Sequence, residues 1–326
     1  MSPSKILVTR IIPDAARKLL DDKFDVEYPS DPKGMDRAEL LTRVADKEGL
    51  VCQLTEAINE ELLDAAPKLK IVATVSVGFN NIDVAACTRR KVVATNTPGV
   101  LDDTTADFAF ALMLAVARRV VDGDNYLRAG KWTGWDVGQY LGADVWGKTI
   151  GILGFGRIGR EVARRANGFK MRVLYFNRTR VDARIEQEVK ARYVEFDTLL
   201  RESDFLSIHT PLTPETKHLI SHDALAKMKP SAFLINTSRG PVVDEAALND
   251  ALEKKVIAGA GLDVYEREPE VLPGLIPRQN VVLSPHMGSA TVETRTKMAV
   301  VAATNVANFL SGLRPPTPIN PEVLAG

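Results

Sequence analysis

Short apolar runs rich in β-branched residues alternate with amphipathic stretches over the first part of the chain. Such runs are typical of strands buried in a parallel sheet, and the stretches between them have the apolar spacing of helices. The predicted strands are residues 6–9, 25–28, 49–53, 71–76 and 92–96, and the clearest helical patterns are residues 13–20, 37–44 and 59–65. This alternation predicts a parallel sheet covered by helices on both faces.

A second alternating series begins at Thr149. Its predicted strands are residues 149–153, 172–177, 191–195, 205–209, 232–237, 257–264 and 280–284, and residues 248–255 have a helical pattern. Two longer helical patterns, residues 104–123 and 289–313, connect the two series. Because each sheet needs helices to cover it, we expect residues 1–99 and 288–326 to form one domain, with residues 100–287 inserted as a second.

A glycine-rich turn lies between the first strand of the second series and the helical pattern that starts at Arg160. In this turn, Gly154 permits a sharp change of direction, Gly156 lets a pyrophosphate approach the backbone, and Gly159 lets the helix pack closely on the strand. The N–H groups and the dipole of the helix N-terminus favour phosphate. The turn and its flanks predict a dinucleotide-binding site.

The composition excludes several classes of partner. The chain has 42 basic and 42 acidic residues, so it offers no electrostatic case for nucleic acid or a membrane surface. The longest apolar run, residues 108–117, is too short to span a bilayer, and no leader-like segment precedes the first strand, so we expect a cytoplasmic protein. Cys52 and Cys87 are expected to be inert core thiols, and no Cys/His spacing indicates a metal site.

Candidate chemistry lies where strands end. His209 and His286 each follow an apolar strand, at the edge where parallel sheets bind ligands, whereas His218 and His222 are expected to be solvated. On position alone, His286 is equally compatible with catalysis and with a structural bond to a backbone carbonyl.

Two further segments strengthen the catalytic interpretation of His286. Arg239 follows one strand, and Asp263, Glu266 and Glu268 follow another. An arginine binds a carboxylate with two parallel hydrogen bonds. A carboxylate beside an imidazole raises the imidazole pKa, as an acid that protonates a ketone near neutral pH requires.

In the first unit, the loop after the strand at residues 71–76 is a second candidate for anion binding. The successive backbone N–H groups of Ser76, Val77 and Gly78 are suited to form an anion nest. The alternative is a plain loop between strand and helix.

Taken together, these residues resemble the D-isomer-specific 2-hydroxyacid dehydrogenase family, and within it most the glyoxylate and hydroxypyruvate reductases. The resemblance covers nearly the whole chain and depends on the order of the glycine turn and three segments, Asn-Thr-Ser-Arg-Gly, Gly-Leu-Asp-Val-Tyr-Glu-x-Glu-Pro and Ser-Pro-His-x-Gly-Ser-Ala. It implies an α/β fold of two doubly wound parallel-sheet domains, a flavodoxin-like substrate domain split in sequence and an inserted Rossmann domain. It also implies NAD(P)H-dependent reduction of a small 2-oxo acid to the 2-hydroxy acid.

The resemblance also implies a role for each matching residue. Arg239 would bind the substrate carboxylate and carbonyl, His286 would donate the proton, and Glu268 would be its partner. Backbone N–H groups of Ser76, Val77 and Gly78 would bind the carboxylate. For the cofactor, Asp263 would bond the nicotinamide carboxamide, Thr105 would lie near the pyrophosphate, and His209, Thr210 and Pro211 would flank the adenosine. The remaining cofactor-binding candidates are Gly154, Gly156, Arg157, Ile158, Gly159, Asn177, Arg178, Thr179, Arg180, Thr237, Ser238 and Gly288.

The residues after the second strand of the inserted domain bear on the choice of cofactor. An NAD enzyme usually has an acidic residue there, and this chain has Asn177 instead. Arg178 and Arg180 follow, and arginines pair well with the 2′-phosphate of NADP. We therefore expect NADP(H) to be preferred, with NAD(H) possible.

Several alternatives stay open at this point. The substrate is glyoxylate, hydroxypyruvate or a larger acid such as 2-ketogluconate, and a phosphoglycerate dehydrogenase is a further possibility within the family. A non-enzymatic dinucleotide sensor, of the kind found among transcriptional corepressors, would not need Arg239, Glu268 and His286 together. The resemblance also implies a homodimer with residues 104–123 and 132–146 at the interface, where Trp132 and Trp135 would reach the neighbouring subunit.

Overall fold

The structure, a computed structural model, describes residues 3–31 and 33–325. The chain divides into two compact units, Met1–Leu101 with Ala290–Gly326 and Asp102–Ser289. The sequence places these boundaries at 99/100 and 287/288. Each unit contains one parallel sheet.

In the first unit, the elements alternate regularly between strand and helix. They are β1 (Lys5–Val8), α1 (Asp14–Asp21), β2 (Asp25–Glu27), α2 (Arg37–Arg43), β3 (Gly49–Cys52), α3 (Glu60–Ala65), β4 (Ile71–Thr74), α4 (Val84–Arg89) and β5 (Val93–Thr95). The sheet order is β2-β1-β3-β4-β5, which is the doubly wound order of flavodoxin-like folds. The predicted strands are confirmed to within two residues at each end.

Helix starts in this unit follow from their capping residues. Asp36, Asn59 and Asp83 precede α2, α3 and α4, and each side chain accepts a hydrogen bond from an N–H group of the first helical turn. Cys52 and Cys87 are buried and free, and burial raises the pKa of both thiols. Thiols of this kind are unreactive at neutral pH.

The second unit begins with two helices and continues with seven strands. Its elements are α5 (Asp102–Ala117), α6 (Val120–Arg128), β6 (Thr149–Leu153), α7 (Arg157–Gly168), β7 (Arg172–Phe176), α8 (Ala183–Glu188), β8 (Ala191–Tyr193), α9 (Phe196–Glu202), β9 (Phe205–Ile208), α10 (His222–Ala226), β10 (Phe233–Asn236), α11 (Glu245–Glu253), β11 (Gly259–Leu262) and β12 (Val281–Leu283). The sheet order, β12-β11-β10-β9-β6-β7-β8, contains the Rossmann order extended by one strand. The two-sheet α/β fold class is therefore confirmed.

The prediction of one helix over residues 104–123 is wrong, because α5 and α6 are separate. Arg119 lies between them in the left-handed region, with φ of 55°. Its guanidinium pairs with Asp122 at 3.0 Å and lies 4.9 Å from the ring centre of Tyr140. These contacts stabilise a backbone turn that the apolar pattern does not reveal.

The apolar run in α5 forms a buried helix, as predicted. Leu112 and Met113 lie in the core of the second unit, and Gly261 of β11 lets the helix approach the sheet closely. A Cβ atom at Gly261 would lie 3.0 Å from the Leu112 Cβ atom. None of the helices in the described part of the chain combines the length and apolar character needed to cross a membrane.

The last helix, α12 (Val292–Leu310), returns to the first unit and packs against α1 and β4. Beyond it, the side chain of Asn320 bonds to β5 and its neighbours. Its Oδ1 accepts from the Ala94 N–H at 2.8 Å, and its Nδ2 donates to the Val92 carbonyl at 2.9 Å and to the Thr88 hydroxyl at 3.1 Å. Asn320 therefore fastens the end of the chain to the first sheet.

Replacing Asn320 with Ala should destabilise the first unit. The side chain is fully buried, and buried polar groups left without partners cost about 1–3 kcal/mol each. We expect the free energy of unfolding to fall by about 2–4 kcal/mol, as measured by urea denaturation. The control is Asn308→Ala in α12, whose side chain bonds to none of the described residues and should change the free energy of unfolding by less than about 0.5 kcal/mol. Equal stability of the two variants would contradict the anchoring role.

Candidate functional site

Four segments follow strands that end at one edge of the second sheet. They are the glycine turn (154–159), the arginine segment (236–240), the carboxylate segment (263–268) and the histidine segment (284–288). Strand pairing continues into three of these segments, because the Asp263 N–H donates to the Asn236 carbonyl at 2.9 Å and the Ser284 N–H to the Leu262 carbonyl at 2.9 Å. Parallel sheets bind ligands at this edge.

The glycine turn has the geometry of a phosphate-binding turn. Gly154 has φ of 92°, and a Cβ atom there would lie 2.6 Å from the Thr210 backbone nitrogen. A Cβ atom at Gly159 would overlap the Gly154 carbonyl oxygen, whereas the space around Gly156 is open. Helix α7 begins after Gly156, and no side chain caps its N–H groups. Those donors, with Arg157 and Ile158 in the first turn, suit a pyrophosphate.

The two arginines after β7 differ in their surroundings. Arg180 forms a two-pronged ion pair with Glu186, at 2.8 and 2.7 Å, and Glu186 also accepts a bond from the Tyr175 hydroxyl at 2.6 Å. Arg178 is exposed and forms no hydrogen bond or ion pair with any residue that the structure describes. The two arginines that the sequence assigns to the 2′-phosphate therefore differ in the single chain, because Arg180 is paired with Glu186.

Asn177 and His209 directly follow β7 and β9, the two strands that pair with β6 beside the glycine turn. The Asn177 amide donates to the Thr179 carbonyl at 3.0 Å, so it fixes the loop that carries Arg178. The His209 ring lies 2.7 Å from the Ser207 hydroxyl, and burial lowers the pKa of His209 to about 3. His209 is therefore neutral at physiological pH, which suits a position beside an uncharged base.

His286 and Glu268 form the ion pair expected from the sequence. The His286 Nδ1 lies 2.8 Å from Glu268 Oε2, and Glu268 Oε1 accepts the Tyr265 N–H at 3.2 Å. Partial burial raises the pKa of Glu268, but the bond to His286 and the charges of His286 and Arg239 outweigh it, so the pKa lies below its usual value. With Nδ1 bound to a carboxylate, Nε2 is the nitrogen left to exchange a proton with a ligand.

Asp263 holds the histidine segment in place. Its Oδ1 accepts from the Ser284 hydroxyl at 2.7 Å and the Met287 N–H at 2.6 Å, and its Oδ2 accepts from the Gly288 N–H at 2.7 Å. His286 itself has φ of 53°, a left-handed conformation that a histidine adopts only when its surroundings impose it. Burial raises the pKa of Asp263. The sequence did not reveal this structural role.

The arginine segment is fixed by its own amide. Asn236 Nδ2 donates to the Arg239 carbonyl at 3.1 Å, and Asn236 Oδ1 accepts the Ser238 N–H at 3.0 Å. Burial lowers the pKa of the Arg239 guanidinium, and the Glu268 charge opposes this effect. The Thr237 hydroxyl is buried and has no hydrogen-bond partner among the described residues, which is unusual unless a ligand supplies one.

In the first unit, the loop after β4 presents backbone donors. Within residues 3–31 and 33–325, no carbonyl or side chain accepts the N–H groups of Ser76, Val77 or Gly78. The Ser76 hydroxyl donates to the Gly78 carbonyl at 2.7 Å, and Asn96 donates to the Val77 carbonyl at 2.7 Å. The loop is thus held from its carbonyl side, with its N–H groups available.

One expectation needs revision, and one residue was missed. His218 is half-buried, and its Nε2 lies 3.3 Å from Glu266 Oε1, so it is not a solvated histidine, whereas His222 is exposed. Glu245 of α11 bonds to Glu266, although in sequence it is only one more acid at a helix start, where acids are common. Thr105 is buried and lies beside Gly288. The described residues contain no cluster of side chains that suits a metal ion.

Comparison with known proteins gives a consistent result. Residues 110–288 match the family model of the D-isomer specific 2-hydroxyacid dehydrogenase, NAD binding domain. The chain is 50% identical to the glyoxylate reductase of Thermococcus litoralis over 98% of each chain. It is 49% identical to the glyoxylate reductase of Pyrococcus horikoshii, over 98% of this chain and 97% of that protein.

Two solved structures match the fold of this chain over nearly its whole length. The glyoxylate reductase of Paecilomyes thermophila is 33% identical with a TM-score of 0.88, over 99% of this chain and 100% of that chain. The NADPH-dependent glyoxylate/hydroxypyruvate reductase of Sinorhizobium meliloti, solved with NADP and malonate, is 33% identical with a TM-score of 0.87, over 98% of this chain and 97% of that chain.

The glycine turn predicts a separation of folding from binding. Gly156 has a negative φ and open space around it, so Gly156→Ala should leave the melting temperature unchanged while placing a methyl group where a pyrophosphate would approach. We expect the Kd for NADPH, measured by nucleotide fluorescence, to rise about tenfold or more. Gly159→Ala, which meets the Gly154 carbonyl, should instead lower the melting temperature. Unchanged affinity in Gly156→Ala would show that the turn does not bind the dinucleotide.

Proposed function

Since the chain belongs to the D-isomer specific 2-hydroxyacid dehydrogenase family, we propose that it reduces glyoxylate or hydroxypyruvate to the corresponding 2-hydroxy acid, with a nicotinamide dinucleotide as the reductant. One observation carries this proposal: the 2.8 Å pair of His286 and Glu268 lies at the same sheet edge as the glycine turn and Arg239. A binding protein would need the turn but not a proton donor paired with a carboxylate. The relatives are glyoxylate or glyoxylate/hydroxypyruvate reductases, which supports the choice of substrate.

We propose that His286 is the proton donor. Glu268 accepts the hydrogen bond of Nδ1–H, which orients the ring. Nε2–H then donates to the oxygen of the 2-oxo group. When the reduced dinucleotide is bound, it supplies the hydride to the carbon of that group. General acid catalysis by a positioned side chain typically raises the reaction rate by about 10²–10⁴-fold.

Arg239 and the loop after β4 are proposed to bind the substrate. The Arg239 guanidinium polarises the 2-oxo group and pairs with the carboxylate. The unpaired N–H groups of Ser76, Val77 and Gly78 are proposed to bind a carboxylate oxygen. Both groups recognise the 2-oxo acid moiety, which every candidate substrate shares. The choice between small and larger acids therefore depends on other residues.

For the cofactor, the glycine turn with Arg157 and Ile158 is proposed to bind the pyrophosphate. His209, Thr210 and Pro211 flank the adenosine. The buried hydroxyl of Thr237, which needs a partner, is proposed to face the nicotinamide half, together with Ser238, Thr105 and Gly288. Asp263 already accepts three bonds, and its remaining lone pair is proposed for the nicotinamide carboxamide.

We propose a preference for NADP(H), carried by Arg178. Asn177 avoids the repulsion that an aspartate would exert on the 2′-phosphate, and Arg178 is the arginine not paired with Glu186. The S. meliloti reductase, described as NADPH-dependent, supports this choice. NAD(H) is proposed as a second, weaker cofactor, since an uncharged Asn177 does not repel the 2′-hydroxyl.

A homodimer is also proposed, through the segment between α6 and β6. Trp132, Trp135 and Trp146 are 56%, 84% and 67% exposed in the single chain. Large exposed aromatic side chains so close in sequence are typical of subunit interfaces.

Replacing His286 with Ala should lower kcat for glyoxylate reduction by about 10²–10⁴-fold, because the proton donor is lost. The Kd for NADPH should stay within about twofold, since the cofactor does not depend on this ring. NADPH oxidation at 340 nm measures the first quantity and nucleotide fluorescence the second. His222→Ala, an exposed histidine on α10, is the matched control and should be fully active. Near-normal turnover of the His286 variant would remove it from the mechanism.

Arg178→Ala should reduce kcat/KM about tenfold or more when NADPH is varied, and change it little with NADH, because a charge-assisted bond to the 2′-phosphate is lost. Initial rates at saturating glyoxylate with each cofactor measure this ratio. Arg184→Ala removes an exposed arginine of α8 and should leave both cofactors unaffected. An equal loss with NADPH and NADH would assign Arg178 a different role.

A further inference from the structure

The segments that carry Arg239 and Glu268 touch each other through their backbones. Arg239 is followed by Gly240, and a Cβ atom at Gly240 would overlap the carbonyl carbon and oxygen of Tyr265. Only glycine allows this approach. The arginine segment and the carboxylate segment are therefore packed together at a point next to both proposed site residues.

Two glutamates join the same segments by exchanging hydrogen bonds. The Glu266 N–H donates to Glu245 Oε1 at 2.6 Å, and the Glu245 N–H donates to Glu266 Oε1 at 2.8 Å. Glu245 is the first residue of α11, which follows the arginine segment through a short 3₁₀ turn, Gly240–Val242. The reciprocal pair satisfies one N–H group of the helix start and one of the carboxylate segment.

His218 lies beside Glu266, and its ring donates no hydrogen bond to any described residue. Its Nε2 lies 3.3 Å from Glu266 Oε1, and its backbone N–H donates to the Pro241 carbonyl at 2.8 Å. The residues around Glu266 are thus held by the helix start and by Gly240. Glu268, only two residues further along, has a side chain that is 37% exposed and is held by the Tyr265 N–H and His286.

This arrangement costs stability. Glu245 is only 8% exposed, and burial together with the Glu266 and Glu268 carboxylates raises its pKa. The three carboxylates repel one another at this distance. Groups with pKa values perturbed in this way are found most often at functional sites.

We propose that Glu245 and Glu266 are positioning residues. Their reciprocal hydrogen bonds hold the carboxylate segment so that Glu268 orients His286. The close contact at Gly240 keeps Arg239 next to that segment. Neither glutamate touches a reacting atom. This assignment depends on the proposed function, because it gives Glu268 and Arg239 their roles. The bonds require an acceptor oxygen rather than a charge, so a glutamine at either position should preserve them.

Steady-state kinetics of glyoxylate reduction test the positioning. Displacing a catalytic group by about 1 Å can cost about 10²-fold, so we expect Glu266→Ala and Glu245→Ala to lower kcat about tenfold or more. Glu266→Gln and Glu245→Gln should retain at least about half of wild-type kcat, and the Kd for NADPH should stay within about twofold in all four. The control is Glu253→Ala, an exposed glutamate of α11, which should be fully active. Glutamine variants as slow as the alanine variants, or alanine variants with wild-type kcat, would overturn the proposal.

Hydrogen exchange provides a readout that does not need activity. In the folded protein, the Glu266 carboxylate should protect the Glu245 amide from exchange, and the Glu245 carboxylate should protect the Glu266 amide. Glu266→Ala should therefore speed exchange of the Glu245 amide, and Glu245→Ala should speed exchange of the Glu266 amide. Glutamine should restore the protection. If the wild-type protein reduces neither acid, the proposed function fails, and the exchange pattern alone then decides whether the pair holds the segment. Unchanged protection in the alanine variants would overturn the pair itself.

Discussion

The parallel alignment of β6 and β9–β12 is the constraint on which the proposed reaction site depends. All parallel strands of one sheet end at the same edge, so the sheet brings together the glycine turn, Arg239, Glu268 and His286, which are far apart in sequence. The buried apolar strands fix the register of this sheet, because slipping it would expose their side chains. Hydrophobic burial therefore determines which chemistry is possible at the edge.

At that edge, buried polar groups rather than apolar contacts hold the loops. Asp263 binds two backbone N–H groups of the histidine segment and keeps His286 in a left-handed conformation. The Glu245–Glu266 pair and Gly240 hold the carboxylate segment against the arginine segment. Buried carboxylates with raised pKa values lower the stability of the fold. These carboxylates lie where they hold the segments that carry His286 and Arg239.

The sequence predicted the strands and the two parallel sheets, because apolar periodicity is a local signal that the fold obeys. The pairing of His286 with Glu268 was implied by the family resemblance. The sequence did not predict the break at Arg119, which depends on contacts with Asp122 and Tyr140 formed only in the folded chain. Nor did it distinguish Arg178 from Arg180, because the partner Glu186 lies on the following helix and pairs through side-chain geometry. Residue spacing in the sequence does not predict which side chains pair in the folded chain, so it does not predict roles that depend on such pairs.

We propose that His286 and Arg239 both contact the carbonyl oxygen of a 2-oxo acid. A crystal structure of the protein with NADP⁺ and oxamate, an unreactive mimic of a 2-oxo acid, tests it most directly. We expect the oxamate carbonyl oxygen to lie within hydrogen-bond distance of His286 Nε2 and of the Arg239 guanidinium, with Glu268 still bound to Nδ1. An oxamate bound beside the nicotinamide ring but out of reach of His286 would contradict it.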